Sequence, residues 1–121
     1  MPKTIMVVDD SSAIRKFVMF ALRARGLTVL TAQDGQDALE QLARASVDLI
    51  ITDLNMPKLD GFGLVQALRD DHDYGQVPII ILSSLSSEEE QERGIRLGAN
   101  AYLVKPFDQR RIQYEVAKYI N

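Results

Sequence analysis

Polar side chains that can do chemistry stand directly after short apolar runs at four places in the chain. They are Asp9 and Asp10, Asp53, Ser83 and Ser84, and Lys105. Carboxylate oxygens bind hard metal ions, and an ammonium or hydroxyl group can contact a phosphoryl oxygen. Each residue taken singly also has an ordinary explanation, because carboxylates and serines often cap helices or begin turns. Their function therefore depends on whether the fold brings them together.

The spacing of apolar residues predicts five strands that alternate with five helices. The predicted strands are residues 5–8, 27–31, 47–52, 77–82 and 101–104. The first helix, which Gly26 ends, has a core stripe of Ile14, Phe17, Val18, Ala21 and Leu22. A capping box of Ser87 and Glu90 begins the fourth helix. The last helix runs to the chain end and carries Ile112, Val116, Tyr119 and Ile120.

Several of the predicted strands are continuous apolar runs, which is typical of a parallel sheet covered on both faces. Strands that alternate with helices through right-handed crossovers form a doubly wound α/β fold. Ligands of such a fold bind outside the carboxyl ends of the strands. We therefore expect the polar residues that follow the first, third, fourth and fifth strands to converge at one edge of the sheet.

Three carboxylates at one edge would repel one another unless a cation joined them. Oxygen ligands without His or Cys favour Mg²⁺ or Mn²⁺, and Mg²⁺ also accepts phosphate oxygens as ligands. Lys105 and Ser83 could contact further phosphate oxygens. Because carboxylates can form aspartyl phosphates, one of Asp9, Asp10 and Asp53 is the expected phosphoryl acceptor.

The composition limits the class of protein. A chain of 121 residues is enough for one domain, so we expect a single domain over residues 1–121. With 14 Lys and Arg against 17 Asp and Glu, the net charge of −3 argues against direct binding of nucleic acid. The absence of cysteine excludes disulfides, thiolate zinc sites and thiol nucleophiles. No apolar run is typical of a signal peptide or a membrane span, and we expect a cytoplasmic protein.

The candidate residues lie within longer motifs. These are Val7-Val8-Asp9-Asp10-Ser11, Asp53-Leu54-Asn55-Met56-Pro57 with Asp60-Gly61, Ile81-Leu82-Ser83-Ser84, and a run from Gly98 that ends in Lys105-Pro106-Phe107. With these motifs, the chain resembles the receiver domain of bacterial two-component response regulators, in build the single-domain chemotaxis type, from residue 4 to about residue 119. The resemblance implies a flavodoxin-like sheet of five parallel strands in the order 2-1-3-4-5.

The resemblance also implies a role for each site residue. Asp53 would accept the phosphoryl group from a kinase phosphohistidine. Asp10, Asp53 and the backbone carbonyl of Asn55 would hold Mg²⁺ or Mn²⁺, and Asp9 would assist through a metal-bound water. Lys105 would pair with the phosphate.

A switch is implied as well. Ser83 stands where the family has the Thr or Ser whose hydroxyl moves onto the phosphate, and Tyr102 is the aromatic residue whose rotamer follows. The cis peptide bond of the family corresponds to Lys105–Pro106 and would aim the lysine into the site. The switch would alter the surface of the fourth helix, fifth strand and fifth helix, which would bind a downstream protein.

Met19 and Phe20 lie off the core stripe of the first helix, so we expect them to be partly exposed. In the family this helix often meets the histidine-bearing helices of a sensor histidine kinase or a histidine phosphotransfer protein. We therefore hypothesise a docking role for Met19 and Phe20, beside the ordinary explanation that scattered exposed apolar residues are common. We expect a monomer that does not bind membranes.

The sequence leaves alternatives open. The chain could be a phosphorelay shuttle that passes the phosphoryl group to a histidine phosphotransfer protein, and it could be a domain of a longer regulator. An aspartate-dependent phosphohydrolase would share the loose motif Asp53-Leu54-Asn55, but Asn55 cannot be its general acid. A flavin carrier of similar fold would place a phosphate beside Asp9 and Asp10, which would repel it. We favour a receiver that transfers a phosphoryl group to itself and is otherwise no enzyme.

Overall fold

The computed structural model describes residues 2–120 and has three layers, a five-stranded parallel sheet between two layers of helices. The strands are β1 (Thr4–Val8), β2 (Thr28–Ala32), β3 (Leu49–Thr52), β4 (Ile79–Ser83) and β5 (Ala101–Val104). The helices are α1 (Ser12–Arg23), α2 (Gly35–Leu42), α3 (Gly61–Asp70), α4 (Glu88–Leu97) and α5 (Gln109–Ala117). The predicted alternation is confirmed. Each helix within residues 2–120 is too short or too polar to span a bilayer.

The strands pair in the order β2-β1-β3-β4-β5, and every neighbouring pair is parallel. This is the order that the resemblance implied. In the register of the sheet, Val8 at the end of β1 lies opposite both Ala32 of β2 and Thr52 of β3. Residues 9 and 53 therefore leave neighbouring strands at the same level, next to each other at the carboxyl edge.

Alternate strand residues fill two apolar cores, one on each face of the sheet. The core under α2 and α3 includes Met6, Val8, Ile50, Ile79 and Ile81 with Leu42, Leu64 and Leu68. The core under α1 and α5 includes Ile5, Val7, Ile51, Ile80 and Leu82 with Val18, Leu22, Ile112 and Val116. Because both faces are buried, the strands are continuous apolar runs and not alternating patterns.

The helix α4 contributes least to either core. Of its described residues only Gly94 is buried, and a Cβ on Gly94 would lie 2.8 Å from Cδ1 of Ile81 and 3.3 Å from Cδ2 of Tyr102. The guanidinium of Arg93 lies over the ring of Phe62 in α3, 4.1 Å from its centroid. Few buried apolar contacts hold this helix, which permits local motion relative to the sheet.

Each helix begins at a side chain that accepts a hydrogen bond from its first turn. These capping residues are Ser11, Asp34, Asp60, Ser87 and Asp108. At α4 the predicted capping box is present in altered form. Glu90 N–H donates to Ser87 Oγ at 3.2 Å, but the Glu90 carboxylate accepts from the Ser87 hydroxyl, at 2.7 Å, in place of the Ser87 backbone N–H. At α1, the cap Ser11 directly follows Asp10, which fixes the start of the helix beside the acidic residues.

Some predicted strand boundaries are wrong. The strands β3 and β4 begin at Leu49 and Ile79, each two residues later than predicted. Pro78 has no N–H for the ladder, and its carbonyl accepts from Ile50 N–H at 3.0 Å where β4 is about to begin. The strand β2 is displaced by one residue, because pairing with β1 sets its ends.

Two helices end earlier than predicted. The helix α1 ends at Arg23, and Gly26 lies in the following turn with a φ of 78°. The helix α5 ends at Ala117 and does not run to the chain end. There the N–H groups of Lys118 and Tyr119 bond to carbonyls three residues back, at 3.3 and 3.0 Å, so the chain tightens out of the α-helical pattern.

The prediction that Phe17 belongs to the core is wrong. Its side chain is 41% exposed, although Val18, Ala21 and Leu22 on the same helix are fully buried. The neighbour of Phe17 is Phe107 in the loop after β5, with the two ring centroids 6.2 Å apart. A loop covers less of an aromatic ring than a sheet face does, so the ring stays partly in solvent.

Candidate functional site

Asp9, Asp10 and Asp53 form an acidic cluster at the carboxyl edge of the sheet. One carboxylate oxygen from each lies within 4.8 Å of those of the other two. Asp9 is 2% exposed and Asp53 is 7% exposed, whereas Asp10 is open to solvent. The parallel pairing of β1 with β3 places Asp9 and Asp53 side by side. The structure thus brings together the three carboxylates that the sequence singled out.

Backbone N–H groups orient the two buried carboxylates. Ser11 N–H donates to Oδ1 of Asp9 at 2.9 Å, and Leu54 N–H donates to Oδ1 of Asp53 at 2.8 Å. The Asp53 backbone is held as well, since the Thr52 hydroxyl donates to its carbonyl at 2.8 Å. Each Oδ1 atom is thus oriented by a backbone donor, and the Oδ2 atoms meet a different partner.

Lys105 is the partner of both Oδ2 atoms. Its Nζ lies 3.4 Å from Oδ2 of Asp9 and 3.5 Å from Oδ2 of Asp53. Its backbone N–H donates to the Ser83 carbonyl at 2.7 Å, which ties the end of β5 to the end of β4. The Lys105–Pro106 peptide bond is cis, as the resemblance implied. One ammonium group therefore bridges the two buried carboxylates.

The electrostatics of the cluster leave an excess of negative charge. Burial raises the pKa of Asp9 above its ordinary value and the neighbouring Asp53 adds to the rise, while the Ser11 N–H and Lys105 oppose it. Among residues 2–120, Lys105 alone forms ion pairs with the cluster, to Asp9 and Asp53, so a further cation would relieve the repulsion among the three carboxylates. The donors are all oxygen atoms, the set that Mg²⁺ and Mn²⁺ prefer, so these residues fit such an ion. Asn55, two residues beyond Asp53, is exposed on the same loop.

Ser83 and Tyr102 are linked through the backbone of one residue, Leu85. Ser83 is fully buried, and its Oγ accepts from Leu85 N–H at 3.1 Å. The Tyr102 hydroxyl donates to the Leu85 carbonyl at 2.7 Å. Burial raises the pKa of Tyr102, so its hydroxyl keeps the proton that it donates. A displacement of the Leu85 backbone would therefore change the hydrogen bonds of both side chains.

Two features of the site were missed by sequence reasoning. Arg15 donates from Nη1 to the backbone carbonyl of Asp9 at 2.6 Å. Beside Lys105, a surface cleft is lined by the apolar side chains of Ile14, Phe17, Pro106 and Phe107. The sequence does show that Arg15 is a basic residue in the first turn of a helix that directly follows two aspartates. That pattern would suggest an ion pair with one of the aspartates. The actual partner of Arg15 is a carbonyl, which no side-chain pattern reveals.

Met19 and Phe20 lie on α1, outside the acidic cluster. Phe20 is 71% exposed, and Met19 is half-buried against the core under α1 and α5. Together with Lys16 and Arg23 they line a shallow groove. Residues 11–33 contain four Arg and Lys residues and no Asp or Glu, so the groove is basic on an otherwise acidic chain.

The sheet order places the chain in the class of flavodoxin-like, doubly wound α/β proteins. Its acidic cluster and lysine lie at the carboxyl edge of that sheet. A family model described as the response regulator receiver domain matches residues 5–117. The chain therefore belongs to the response regulator receiver domain family.

Individual relatives agree with this assignment. The chain is similar to the chemotaxis response regulator CheY4 of Vibrio cholerae, with 36% identity and a TM-score of 0.93 over 99% of this chain and 100% of that one. It is 40% identical over 117 residues to a probable transcriptional regulator, ycf27, of Porphyridium aerugineum, which covers 97% of this chain and 48% of the relative. It is 45% identical over 101 residues to a gliding motility regulatory protein of Myxococcus xanthus, covering 84% of this chain and 13% of the relative. The chain thus spans half or less of the length of these two curated relatives.

Proposed function

We propose that Asp53 receives a phosphoryl group from the phosphohistidine of a partner protein and that the chain works as a phosphorylation-controlled binding switch. The observation that carries the proposal is the setting of the Asp53 carboxylate. Its Oδ1 is held by Leu54 N–H, and its Oδ2 faces the Lys105 ammonium inside the acidic cluster. A fixed carboxylate beside a cation and a metal-binding group is suited to phosphoryl transfer, which depends on positioning and charge neutralisation.

In the reaction, an Asp53 carboxylate oxygen attacks the phosphorus of the phosphohistidine. The new O–P bond makes an aspartyl phosphate, while the P–N bond breaks and its electron pair stays on the imidazole nitrogen, which takes a proton. Lys105 is placed to exchange its contact with Asp53 Oδ2 for one with a phosphate oxygen. Asp10, Asp53 and the Asn55 carbonyl would hold Mg²⁺ or Mn²⁺, with Asp9 assisting through water. Such an ion supplies positive charge that neutralises the phosphoryl oxygens.

The switch follows from the contacts of Ser83. When its hydroxyl turns toward the phosphate, the bond that its Oγ accepts from Leu85 N–H must change. Leu85 also holds the Tyr102 hydroxyl, and Tyr102 packs near Gly94, the buried residue of α4. Because few contacts hold α4, a small displacement there alters the surface of α4, β5 and α5, where a downstream protein would bind. This linkage favours a switch over a shuttle.

The partners follow from the chemistry. The donor would be a sensor histidine kinase or a histidine phosphotransfer protein, docked on α1 through Met19 and Phe20. The basic rim of that groove, Lys16 and Arg23, suits a partner helix with acidic residues beside its apolar face. The chain would meet these partners in the cytoplasm and would act on no substrate besides itself.

The test is the intact mass of the protein after incubation with acetyl phosphate and Mg²⁺. We expect the parent chain to gain about 80 Da, one phosphoryl group. Asp53→Asn and addition of EDTA should each abolish the gain, whereas Asp70→Asn, which removes an exposed carboxylate outside the site, should leave it unchanged. A gain that persists in Asp53→Asn would contradict the proposal. Rapid return of the phosphoryl group to a histidine phosphotransfer domain, without any change at Tyr102, would indicate a shuttle instead.

A further inference from the structure

Arg15 lies in the first turns of α1, next to the acidic cluster. It is half-buried, and its Nη1 donates to the backbone carbonyl of Asp9 at 2.6 Å. Its own N–H donates to the carbonyl of Ser11, the cap of the helix, at 3.0 Å. The guanidinium group is therefore anchored by a rigid helix and reaches back to the strand end that carries the aspartates.

This contact completes the fixation of Asp9. The Asp9 backbone N–H donates to the Ala32 carbonyl at 3.1 Å, and its carboxylate is held by Ser11 N–H and Lys105. The carbonyl is the remaining polar group, and it belongs to the peptide unit that joins Asp9 to Asp10. Because a peptide unit is planar, fixing this carbonyl also fixes the direction in which the chain enters Asp10.

Asp10 is the residue that needs such support. Backbone N–H groups orient the carboxylates of Asp9 and Asp53, but within residues 2–120 no comparable hydrogen bond reaches the carboxylate of Asp10, which is exposed. Its place within 4.8 Å of the other two carboxylates therefore depends on its backbone.

Arg15 is not placed to neutralise the cluster. Among the ion pairs of the described residues, Lys105 contacts Asp9 and Asp53, while Arg15 forms none within 4.0 Å. Its charge and its hydrogen bond therefore have opposite consequences for a metal ion. A positive charge nearby repels Mg²⁺, whereas a held carbonyl keeps the ligands in place.

From the hydrogen bond to the Asp9 carbonyl we infer that Arg15 is a positioning residue. It holds the Asp9–Asp10 peptide unit so that the Asp10 carboxylate meets those of Asp9 and Asp53 around Mg²⁺. The inference rests on the proposed function, because it concerns the same site. Removing Arg15 should weaken Mg²⁺ binding, even though a repelling charge is lost.

The experiment compares the parent chain with Arg15→Met, Arg15→Lys and the control Arg25→Met, which removes the same charge from an exposed position just after α1. Mg²⁺ is titrated while backbone amide resonances are recorded, and labelling by acetyl phosphate is measured at each Mg²⁺ concentration. Loss of a residue that orients metal ligands typically costs 10- to 100-fold in affinity, and we expect about tenfold weaker binding for Arg15→Met. The labelling rate at saturating Mg²⁺ should change little. Arg15→Lys should recover part of the affinity, and Arg25→Met, outside the acidic cluster, should match the parent.

A readout without metal separates positioning from general damage. In the metal-free protein, Arg15→Met should shift the amide resonances of Asp10 and Ser11, while those of the core strands stay in place. Mg²⁺ affinity in Arg15→Met equal to or tighter than that of the parent would overturn the inference, as would an equal loss in Arg25→Met. If Arg15→Met does not fold, Arg15→Lys decides the matter. We expect its Mg²⁺ affinity to lie below that of the parent, because the shorter lysine holds the Asp9 carbonyl less well, and parental affinity would overturn the inference. A parent chain that binds no Mg²⁺ would overturn the proposed function and this inference together, whereas failure of Arg15→Met alone leaves the proposed function standing.

Discussion

Gly61 lies directly against the backbone carbonyl of Asp53. A Cβ on residue 61 would fall inside the van der Waals surface of that oxygen and 2.7 Å from the Cα of Leu54. Gly61 is also the first residue of α3, and its N–H donates to the Leu54 carbonyl at 3.0 Å. The start of α3 is thus packed onto the peptide that carries the proposed phosphoryl acceptor, at a distance that only glycine allows.

Gly61→Ala should therefore damage both stability and the site. The methyl group meets backbone atoms, which cannot move aside as a flexible side chain can, so we expect a loss of about 1–3 kcal/mol in the free energy of unfolding. Labelling of Asp53 by acetyl phosphate should also slow, because the acceptor loop must shift. Urea denaturation and intact mass measure the two effects.

Gly63→Ala on the same helix is the matched control. A Cβ there would lie 2.7 Å from Cδ1 of Leu59, the far end of a side chain that can rotate away. Alanine also favours the helix by about 1 kcal/mol relative to glycine. We expect near-parental stability and labelling, and equal damage in both variants would contradict the argument.

Tyr102→Phe should separate phosphorylation from its output. The variant loses the hydrogen bond to the Leu85 carbonyl, at a cost of about 1 kcal/mol in stability. It leaves the acidic cluster intact, so labelling of Asp53 should be unchanged, while the shifts of α4 amide resonances on addition of beryllofluoride should shrink. Tyr114→Phe, at a position 63% exposed on α5, is the control. A parental α4 response in Tyr102→Phe would exclude Tyr102 as the link.

Asp9→Asn should stabilise the metal-free protein near neutral pH. The folded state raises the pKa of Asp9 above its ordinary 3.8, chiefly through burial. The folded protein therefore holds this proton more tightly than the unfolded chain, and ionised Asp9 costs stability once the pH exceeds the raised pKa. Asparagine keeps an oxygen for the Ser11 N–H without that cost, so we expect a gain of about 1 kcal/mol.

The pH dependence checks the cause. The advantage of Asp9→Asn should shrink as the pH falls through the raised pKa of Asp9, and it should vanish below 3.8, where the carboxyl group is protonated in both states. Urea denaturation over this range, without metal, measures the difference. Mg²⁺ should stabilise the parent more than the variant. A constant difference at all pH values would point away from ionisation.

Arg69 should be one of the most destabilising positions to truncate. Its guanidinium bonds the Gly98 carbonyl at 2.8 and 3.0 Å, the Val77 carbonyl at 2.7 Å and the Asn100 side chain at 3.1 Å. Burial lowers the pKa of Arg69, but the group stays charged because an arginine titrates far above neutrality. Arg69→Met leaves these acceptors unpaired and should cost about 3 kcal/mol. Arg110→Met, at an exposed position, should change stability by less than about 0.5 kcal/mol, and a similar loss in both would contradict this assignment.

Phe20→Ala should slow phosphotransfer from a histidine kinase but not from acetyl phosphate. Phe20 is 71% exposed and lies outside the acidic cluster, so the small donor does not need it. A docking aromatic residue typically contributes more than 1 kcal/mol of binding, which corresponds to roughly a tenfold loss in transfer efficiency. Met19→Ala should act in the same direction, and Tyr114→Phe serves as a surface control. Equal slowing with both donors would show damage to the site instead of lost docking.

The sequence determined the order of the elements and the place of the acidic cluster. Short apolar runs predict the strands, and segments with apolar residues at helical spacing predict the helices between them. The strands are continuous apolar runs because both faces of the sheet are buried. Asp9, Asp53 and Lys105 each follow such a run, and parallel strands send their carboxyl ends to one edge. Their convergence could therefore be predicted without coordinates, and the pairing of β1 with β3 accounts for it.

The tertiary structure decided what depends on contacts between distant segments. The late start of β4 and the exposure of Phe17 were set by neighbouring elements, and helical periodicity contains no information about those neighbours. The same holds for Arg15, because its partner is a backbone carbonyl. It also holds for Gly61, since the nearby Asp53 carbonyl leaves no space for a Cβ at that position. Side-chain types reveal which chemistry is available, but the backbone groups that orient the side chains become neighbours only when the sheet and its helices pack together.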